Sequence, residues 1–289
     1  MTLMRKTSYS EVQSFLKCGR EHYYSYGLNL RGKHMPEPIE RGIIAHDCLA
    51  VYYTARMDGA SHEEACILGM ARIANHMAST EAYAGQKLVM EIANLLRLYF
   101  TNYANDPIEV LAVETEYSIG ILDDYELPVK IDLIVRRLDT GRTEAWDHKV
   151  IKDFYDPQKV RLMPQMRLYQ AGLLTEGIKV DDLVYNQLRH RTTIDNKADP
   201  SQRFVRMPIP ANTLSIRRTV EEHLIAGNRI KAWRNLPIEE WERKVLRNTL
   251  ACNMCSFTEL CAQDLEGEDT TTLMEFEYRQ KTKRSDMNS

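Results

Sequence analysis

The sequence predicts an α/β fold in which a central mixed sheet is flanked by helices. In residues 85–104 the apolar side chains recur at the three- and four-residue spacing of an amphipathic helix. Between residues 110 and 119 the period changes to two, as in a strand with one apolar face. Residues 164–176 return to helical spacing, with a proline in the first turn and a glycine after the end. Helices and strands are therefore interspersed along the chain, as an α/β core requires.

The first predicted element is a helix that begins at Ser8. Ser8 and Glu11 fit a capping box, Gly27 marks the end, and the prolines of residues 28–40 predict a loop. Further helices are expected at about 41–58, 62–78, 85–104, 164–176, 211–235 and 238–250. Strands are expected at about 110–119, 127–136, 144–151, 183–189 and 203–209, with turns at Asp123-Asp124 and residues 139–141.

These elements predict four regions within one compact unit. Residues 1–107 form an N-terminal helical cap, residues 108–210 the core with the sheet, and residues 211–265 the C-terminal helices with a group of cysteines. The tail, residues 266–289, is polar without periodicity and is expected to be disordered.

Composition is that of an ordinary globular protein, with 27% charged and 44% hydrophobic residues. No stretch approaches the roughly 20 apolar residues of a membrane span, and the N-terminus lacks the apolar run of a signal peptide. We therefore expect a cytoplasmic protein, in which cysteines serve as ligands or buried thiols rather than disulfides. Cys48 and Cys66, on apolar helix faces, are expected to be buried thiols. The net charge of −3 excludes a wholly basic nucleic-acid coat but not a local basic groove.

Four other cysteines form a pattern that predicts a metal centre. Cys252, Cys255 and Cys261 are spaced C-x2-C-x5-C, and Cys18 lies far upstream. Thiolates bind soft metals, and a C-x2-C pair provides two ligands from a short turn. Such a centre would join the first helix to the last ordered segment. Zinc fits this pattern as well as an iron–sulfur cluster does, because spacing alone separates the two poorly.

A second group of residues suggests phosphodiester hydrolysis. Asp147 and Lys149 are two apart on a predicted strand, so their side chains share a face. The carboxylate can hold a divalent cation, and the lysine can orient water or offset developing charge. Asp132, on the preceding strand, can supply a second carboxylate. In isolation D-x-K would be a surface ion pair, but Asp132 lies in the apolar run V-K-I-D-L-I-V, where an unpaired carboxylate is costly.

Three further side chains have an ordinary and a functional interpretation. Gln165 and Tyr169 are at positions i and i+4 of a helix, where they could contact a phosphate or a base or simply form the edge of an amphipathic helix. His46 lies among apolar residues, and a lone histidine in that setting is more often a packed core residue than a ligand.

In combination these segments resemble a known family. They are F-L-K-C-G-R-E-H-Y-Y-S-Y, G-I-I-A-H, V-K-I-D-L, W-D-H-K, Q-M-R-L-Y and C-x2-C-x5-C, in the family's order over about residues 5–262. The family is the RecB-like branch of the PD-(D/E)xK nucleases. The resemblance is closest to the CRISPR-associated iron–sulfur exonucleases, their phage relatives and the nuclease domains of helicase–nuclease repair complexes. A departure is Gly19, where the family commonly has proline. The resemblance implies a restriction-endonuclease-like fold.

The resemblance also implies a role for each matching residue. The metal ligands would be His46, Asp132, Asp147 and the backbone carbonyl of His148. Lys149 would be the catalytic lysine, with Gln165 and Tyr169 as the family's Q-x3-Y element. The family often adds a glutamate from the strand before the aspartate; Glu114 and Glu116 share a face there, and we prefer Glu116. The four cysteines, Cys18, Cys252, Cys255 and Cys261, would ligate a four-iron four-sulfur cluster with a structural role.

The expected activity is that of a Mg²⁺- or Mn²⁺-dependent DNA exonuclease, with endonuclease activity as a further possibility. Its substrate would be single-stranded DNA or DNA ends, and its setting recombination, repair or phage replication with protein partners of those processes. Candidate phosphate contacts are Arg189, Arg191, Arg217 and Arg218. The alternatives are a nuclease that trims spacer precursors in CRISPR adaptation, and a non-catalytic iron–sulfur scaffold that binds DNA ends.

Overall fold

The computed structural model describes residues 5–79, 83–122, 125–190 and 199–281. The chain divides into two compact units. The first, here the terminal unit, consists of Met1–Pro36, Gly120–Leu127 and Val220–Ser289, and the second, the central unit, of Glu37–Ile119 and Pro128–Thr219. The predicted boundaries at residues 107 and 210 do not coincide with this division, because the helices that follow residue 37 belong to the same unit as the strands.

The strands and helices follow the predicted order, with additions at both ends of the chain and one short additional helix before residue 164. The strands are β1 (Arg5–Lys6), β2 (Leu30–Gly32), β3 (Ile108–Leu122), β4 (Tyr125–Arg137), β5 (Thr143–Ile151), β6 (Asp182–Arg189), β7 (Phe204–Pro210) and β8 (Tyr278–Gln280). The helices are α1 (Tyr9–Lys17), α2 (Gly19–His22), α3 (Glu37–Met57), α4 (His62–Ala78), α5 (Tyr83–Asn102), α6 (Pro157–Val160), α7 (Pro164–Thr175), α8 (Thr213–Arg234), α9 (Ile238–Lys244), α10 (Thr258–Glu266) and α11 (Thr271–Glu277). A π-helical turn (Tyr23–Gly27) follows α2, and a 3₁₀ turn (Thr249–Met254) precedes α10.

The central unit contains a mixed sheet of strands β3 to β7. In the described residues, β3 pairs with β4, and the order continues through β5 and β6 to β7. Strand β4 is antiparallel to β5, β5 is parallel to β6, and β6 is antiparallel to β7. This arrangement confirms the predicted mixed α/β fold with a central sheet flanked by helices.

Apolar side chains of helices α3, α4 and α5 pack on the sheet to form the core of this unit. The apolar face predicted for α5 is buried. It forms one hydrophobic cluster with Leu133, Val135 and Trp146 of the sheet. Cys48 is fully buried in this core as predicted, whereas Cys66 lies half-buried at its border.

The terminal unit has two small apolar clusters of its own. Tyr23 and Tyr24 pack with Trp241, Phe257 and Leu260, which brings the N-terminal and C-terminal segments together. In the second cluster, Val12 of α1 packs against Ala226 and Ile230 of α8. Ser8 caps α1, since its hydroxyl accepts a hydrogen bond from the Glu11 N–H at 3.2 Å. Strand β1 pairs in parallel with residues 125–126 at the start of β4.

Two sequence predictions for the C-terminal region were wrong. The helix expected over residues 238–250 ends at Lys244. The segment expected to be disordered from residue 266 contains helix α11 and strand β8, and β8 pairs antiparallel with β2. The partner of β8 is almost 250 residues away in the sequence, so no local pattern indicated it. The turn predicted at Asp123-Asp124 lies outside the described residues.

Within the described part of the chain, no helix has the length and apolar character needed to cross a membrane.

Candidate active site

The antiparallel pair β4 and β5 places two carboxylates next to each other in the central unit. Leu133 pairs with Trp146, so the next residues of the two strands are Asp132 and Asp147. Both are buried, Asp132 to 8% and Asp147 to 1% exposure. A buried carboxylate is costly unless hydrogen bonds or opposite charges surround it, and each aspartate has its own set of partners.

Asp132 is held by His46 and by the backbone of His148. The His148 N–H donates to Asp132 Oδ2 at 2.7 Å, and His46 Nδ1 lies 3.4 Å from the same oxygen. The other ring nitrogen, His46 Nε2, is 2.7 Å from the carbonyl oxygen of His148. Three of the predicted ligand groups, one imidazole, one carboxylate and one carbonyl, therefore meet at one place.

The charges of this group support each other. Burial alone would lower the pKa of His46, but the Asp132 carboxylate raises it to about 9. Burial alone would raise the pKa of Asp132, but the charge of His46 lowers it to about 2. Without a metal, the His46 ring is therefore a cation bound by the Asp132 carboxylate and the His148 carbonyl oxygen. The same two oxygens are the proposed ligands of a metal ion. A bound metal would have to replace that proton.

Glu114 completes this group. Ligand atoms of His46, Glu114 and Asp132 all lie within 4.8 Å of one another. Glu114 lies within strand β3 but has φ +50°, a left-handed conformation that is uncommon for residues other than glycine. Its carboxylate also forms an ion pair with Lys130. The sequence analysis preferred Glu116, which is exposed, whereas the group contains Glu114.

Asp147 faces the catalytic lysine predicted from the sequence. Lys149 Nζ lies 2.7 Å from Asp147 Oδ2 and donates to Gln165 Oε1 at 3.2 Å. Gln165 Nε2 donates to the Tyr169 hydroxyl at 2.8 Å, and that hydroxyl donates to Asp147 Oδ1 at 3.0 Å. These four side chains form a closed ring. Burial raises the pKa of Asp147; burial would lower the pKa of Lys149, but the neighbouring Asp147 raises it.

Helix α7 reaches this ring because Gly172 lets it approach the sheet closely. A Cβ atom at Gly172 would lie 2.5 Å from Val129 Cγ2 on β4. No side chain larger than hydrogen fits there without a shift of the helix, the strand or the buried Val129 side chain. Gly172 is therefore a structural condition for the contacts of Gln165 and Tyr169, which lie on the same helix.

The side chain of His148 leads to a buried polar network that the sequence analysis missed. The Asn186 amide nitrogen donates to His148 Nδ1 at 2.8 Å and to the Tyr99 hydroxyl at 2.8 Å. The Tyr99 hydroxyl is 2.7 Å from the Tyr53 hydroxyl. Burial lowers the pKa of His148 to about 3, so the ring is neutral and Nδ1 can accept a hydrogen bond. The one signal in the sequence was a lone asparagine inside the apolar strand L-V-Y-N-Q-L.

The predicted DNA-contacting arginines that the structure describes come from two elements, Arg189 from β6 and Arg217 and Arg218 from α8. Arg189 donates to Asp153 Oδ1 at 3.0 Å and stacks over Phe154 at 5.2 Å from the ring centroid. Arg217 and Arg218 are exposed on α8. Arg191 lies outside the described residues.

The four cysteines of the predicted metal centre line one cavity of the terminal unit. Cys18, Cys252, Cys255 and Cys261 surround a volume of about 190 Å³. In the described part of the chain, no three of their sulfur atoms lie within 4.8 Å of one another. The sulfurs of a tetrahedral zinc site would be about 3.8 Å apart, given Zn–S bonds of roughly 2.3 Å. The thiols as placed here are therefore too far apart for a single zinc ion.

Comparisons with known proteins show the family to which the chain belongs. Residues 6–262 match the family model of the PD-(D/E)XK nuclease superfamily. Among solved structures, a candidate exonuclease from Eubacterium rectale is similar at 15% identity, covering 91% of this chain and 92% of that one, with a TM-score of 0.49. The structure of SSO0001 is similar at 15% identity, covering 89% and 85%, with a TM-score of 0.37. A search of curated proteins found no match. Because the family model covers most of the sequence, the chain belongs to the PD-(D/E)XK nuclease superfamily.

Proposed function

We propose that the protein is a divalent-metal-dependent DNA exonuclease of the RecB-like branch. The observation that carries this proposal is that His46, Glu114 and Asp132 converge beside the Asp147–Lys149 pair. A surface ion pair, the ordinary interpretation of D-x-K, does not account for the site, because Asp147 is 1% exposed. A non-catalytic scaffold would have no need for this set of converging groups.

The donor set suits the predicted metals. Carboxylates and carbonyl oxygens favour Mg²⁺ and Mn²⁺, while an imidazole is a weaker partner for Mg²⁺ than for later metals. Asp132, Glu114, His46 and the His148 carbonyl together would hold Mg²⁺ or Mn²⁺, and the histidine should shift the preference towards Mn²⁺. Asp147 lies next to this group and is available to it once a metal ion competes with Lys149.

Each remaining side chain has a role in hydrolysis. A divalent cation in the site supplies Lewis acidity and a more acidic bound water. Lys149, charged and held 2.7 Å from Asp147, can orient the attacking water and offset the negative charge that develops on the phosphate. Gln165 and Tyr169 fix the positions of Lys149 and Asp147 through their hydrogen bonds, so that little reorganisation is needed during the reaction.

The proposed substrate is single-stranded DNA or the ends of duplex DNA. This part of the proposal is supported by the resemblance to the RecB-like and CRISPR-associated exonucleases. Arg189, Arg217 and Arg218 remain candidate phosphate contacts. Recombination, repair, phage replication and the trimming of spacer precursors would all use the same chemistry and differ in partner proteins.

We further propose that the four cysteines bind a four-iron four-sulfur cluster with a structural role. The shared cavity of about 190 Å³ supports this, since roughly 10–15 Å³ of such space is enough to hold one water molecule. In such a cluster each thiolate binds a different iron, which requires a wider spacing of sulfurs than one ion does. Arg20 lines the same cavity and pairs with Asp264, so a positive charge adjoins the proposed cluster.

The nuclease proposal is tested by digestion of end-labelled linear DNA and of circular single-stranded DNA, with Mn²⁺, Mg²⁺ or EDTA. We expect cleavage of the linear substrate with either metal, none with EDTA, and little cleavage of circles. His46→Ala, which removes the imidazole ligand, should require far more metal. Cleavage that persists in Asp147→Ala protein free of contaminating nuclease would contradict the site, and cleavage of circles at the rate of linear DNA would contradict the exonuclease.

A further inference from the structure

We propose that Asn186 is a positioning residue of the metal site, acting through the side chain of His148. The inference deepens the proposed function, because it concerns how strongly the same site holds its metal ion. Asn186 lies on β6 opposite His148 of β5, in the parallel register of the two strands. It contacts none of the carboxylates directly.

His148 connects the two sides of strand β5. Asp147 and Lys149 project from one face of the sheet, so the His148 side chain projects from the other. Its peptide groups nevertheless face the site: the N–H donates to Asp132, and the carbonyl lies 2.7 Å from His46 Nε2. The orientation of this one residue therefore sets two of the groups that surround the proposed metal ion.

Asn186 holds the His148 ring in place. The amide nitrogen uses both of its hydrogens, one on His148 Nδ1 and one on the Tyr99 hydroxyl, each at 2.8 Å. Asn186 has no solvent exposure, so no water replaces a lost hydrogen bond without rearrangement. Tyr53 lies parallel to the His148 ring, at 5.7 Å between centroids and 11° between planes. The ring is thus restrained by an amide at one edge and an aromatic face on one side.

The network behind Asn186 is itself anchored by charge. Arg206 reaches the Tyr99 hydroxyl at 3.4 Å and pairs with Asp106 at 2.6 Å. Its guanidinium lies between the rings of Tyr103 and Trp146, at 3.7 and 4.1 Å from their centroids. These contacts keep Asn186 in place, so its hydrogen bond opposes rotation of the His148 ring. A fixed ring in turn limits movement of the His148 peptide groups. Partners of this kind, which orient a ligand without touching the metal, typically change metal affinity by about 10–100-fold.

The test is the affinity of the full-length, DNA-free protein for Mn²⁺, measured by calorimetric titration. Asn186→Leu keeps the volume but removes the donor, and it should weaken Mn²⁺ binding by about 10-fold or more. Val184→Ala is the matched control, because Val184 is a buried residue on the same face of β6, two positions away. It should lower the melting temperature and leave the affinity for Mn²⁺ unchanged.

A double-mutant cycle shows whether Asn186 acts through His148. His148→Phe retains an aromatic ring against Tyr53 but lacks the acceptor, and it should weaken Mn²⁺ binding about as much as Asn186→Leu does. In the His148→Phe background, Asn186→Leu should cause no further loss. If Asn186→Leu does not fold, His148→Phe alone still tests the link.

The outcomes separate this inference from the proposed function. Unchanged Mn²⁺ affinity in Asn186→Leu or in His148→Phe would overturn the positioning role while leaving the nuclease proposal intact. Equal weakening in Val184→Ala would also overturn it, since general loss of stability would then explain the effect. A wild-type protein that binds no Mn²⁺ would overturn both.

Discussion

Replacing Glu114 by glycine should separate the stability of this nuclease from its ability to bind metal. Glu114 has φ +50° within strand β3. A left-handed conformation costs a non-glycine residue about 1–2 kcal/mol, which glycine would recover. Glycine loses about 0.5–1 kcal/mol through its greater freedom in the unfolded chain. The ion pair with Lys130 is lost as well. The Glu114 side chain is 26% exposed and the Lys130 side chain 38%, and such solvent-exposed pairs contribute about 0–1 kcal/mol to stability.

The sum of these contributions is close to zero. Glu114→Gly should therefore change the free energy of unfolding by between about −1 and +1.5 kcal/mol. Glu116→Gly is the matched control, two residues along the same strand and exposed. It relieves no left-handed conformation and should lose about 0.5–1 kcal/mol. Glu114→Gly is thus expected to be the more stable of the two variants.

The assay is unfolding by urea in EDTA, followed by melting curves at increasing Mn²⁺. At a hundred times its dissociation constant, a ligand stabilises the folded protein by about 2.7 kcal/mol. Mn²⁺ should raise the melting temperature of the wild type and of Glu116→Gly but have little effect on Glu114→Gly. If Glu114→Gly proves clearly less stable than Glu116→Gly, the argument from backbone strain is wrong. If Mn²⁺ stabilises Glu114→Gly as well as the wild type, Glu114 is not a ligand.

Three further predictions concern other parts of the molecule. Lys149→Met should lower kcat by about 10²–10³ without weakening Mn²⁺ binding, since the ammonium acts mainly in the transition state and does not bind the metal. A parallel loss of Mn²⁺ binding in titrations would contradict this. Gly172→Ala should lower kcat and cost up to about 2 kcal/mol, because overpacking against Val129 outweighs the gain in helix propensity. Gly42→Ala, a helical position with open space, should instead stabilise by about 1 kcal/mol, as thermal melts would show. Anaerobically purified protein should be brown with about four irons per chain, as expected for a four-iron cluster. Cys18→Ser should lose iron and stability, and Cys66→Ser should keep both. A colourless wild-type protein would contradict the cluster.

The sequence was informative where the site follows regular geometry. Asp147 and Lys149 share a face because a strand alternates, and Asp132 joins them because β4 and β5 are antiparallel neighbours. Gln165 and Tyr169 face the pair because they are one helical turn apart on α7. For His46 the residues alone favoured a core histidine, and only the family resemblance suggested a ligand.

The sequence was misleading where the backbone departs from that geometry. In a regular strand Glu114 and Glu116 are equivalent, and nothing in V-E-T-E-Y indicates that the first glutamate adopts a left-handed conformation. No sequence pattern indicates the Asn186 network, for a different reason. Its members come from separate elements, and their hydrogen bonds depend on the tertiary fold. Sequence rules fail most readily at sites where function imposes strain or long-range contacts.

The positions of the side chains in the candidate site depend on the register of β5. This strand pairs with β6 at every position from Glu144 to Ile151, and both of its faces are occupied. A shift by one residue would turn Asp147 and Lys149 into the apolar core and place the His148 ring in the site. Such a shift would break the Asn186 contact and bury two charges away from their partners, so it is strongly disfavoured. The hydrogen-bond ladder that stabilises the sheet therefore also fixes the positions of Asp147 and Lys149, and loss of the Asn186 contact from β6 is expected to weaken metal binding.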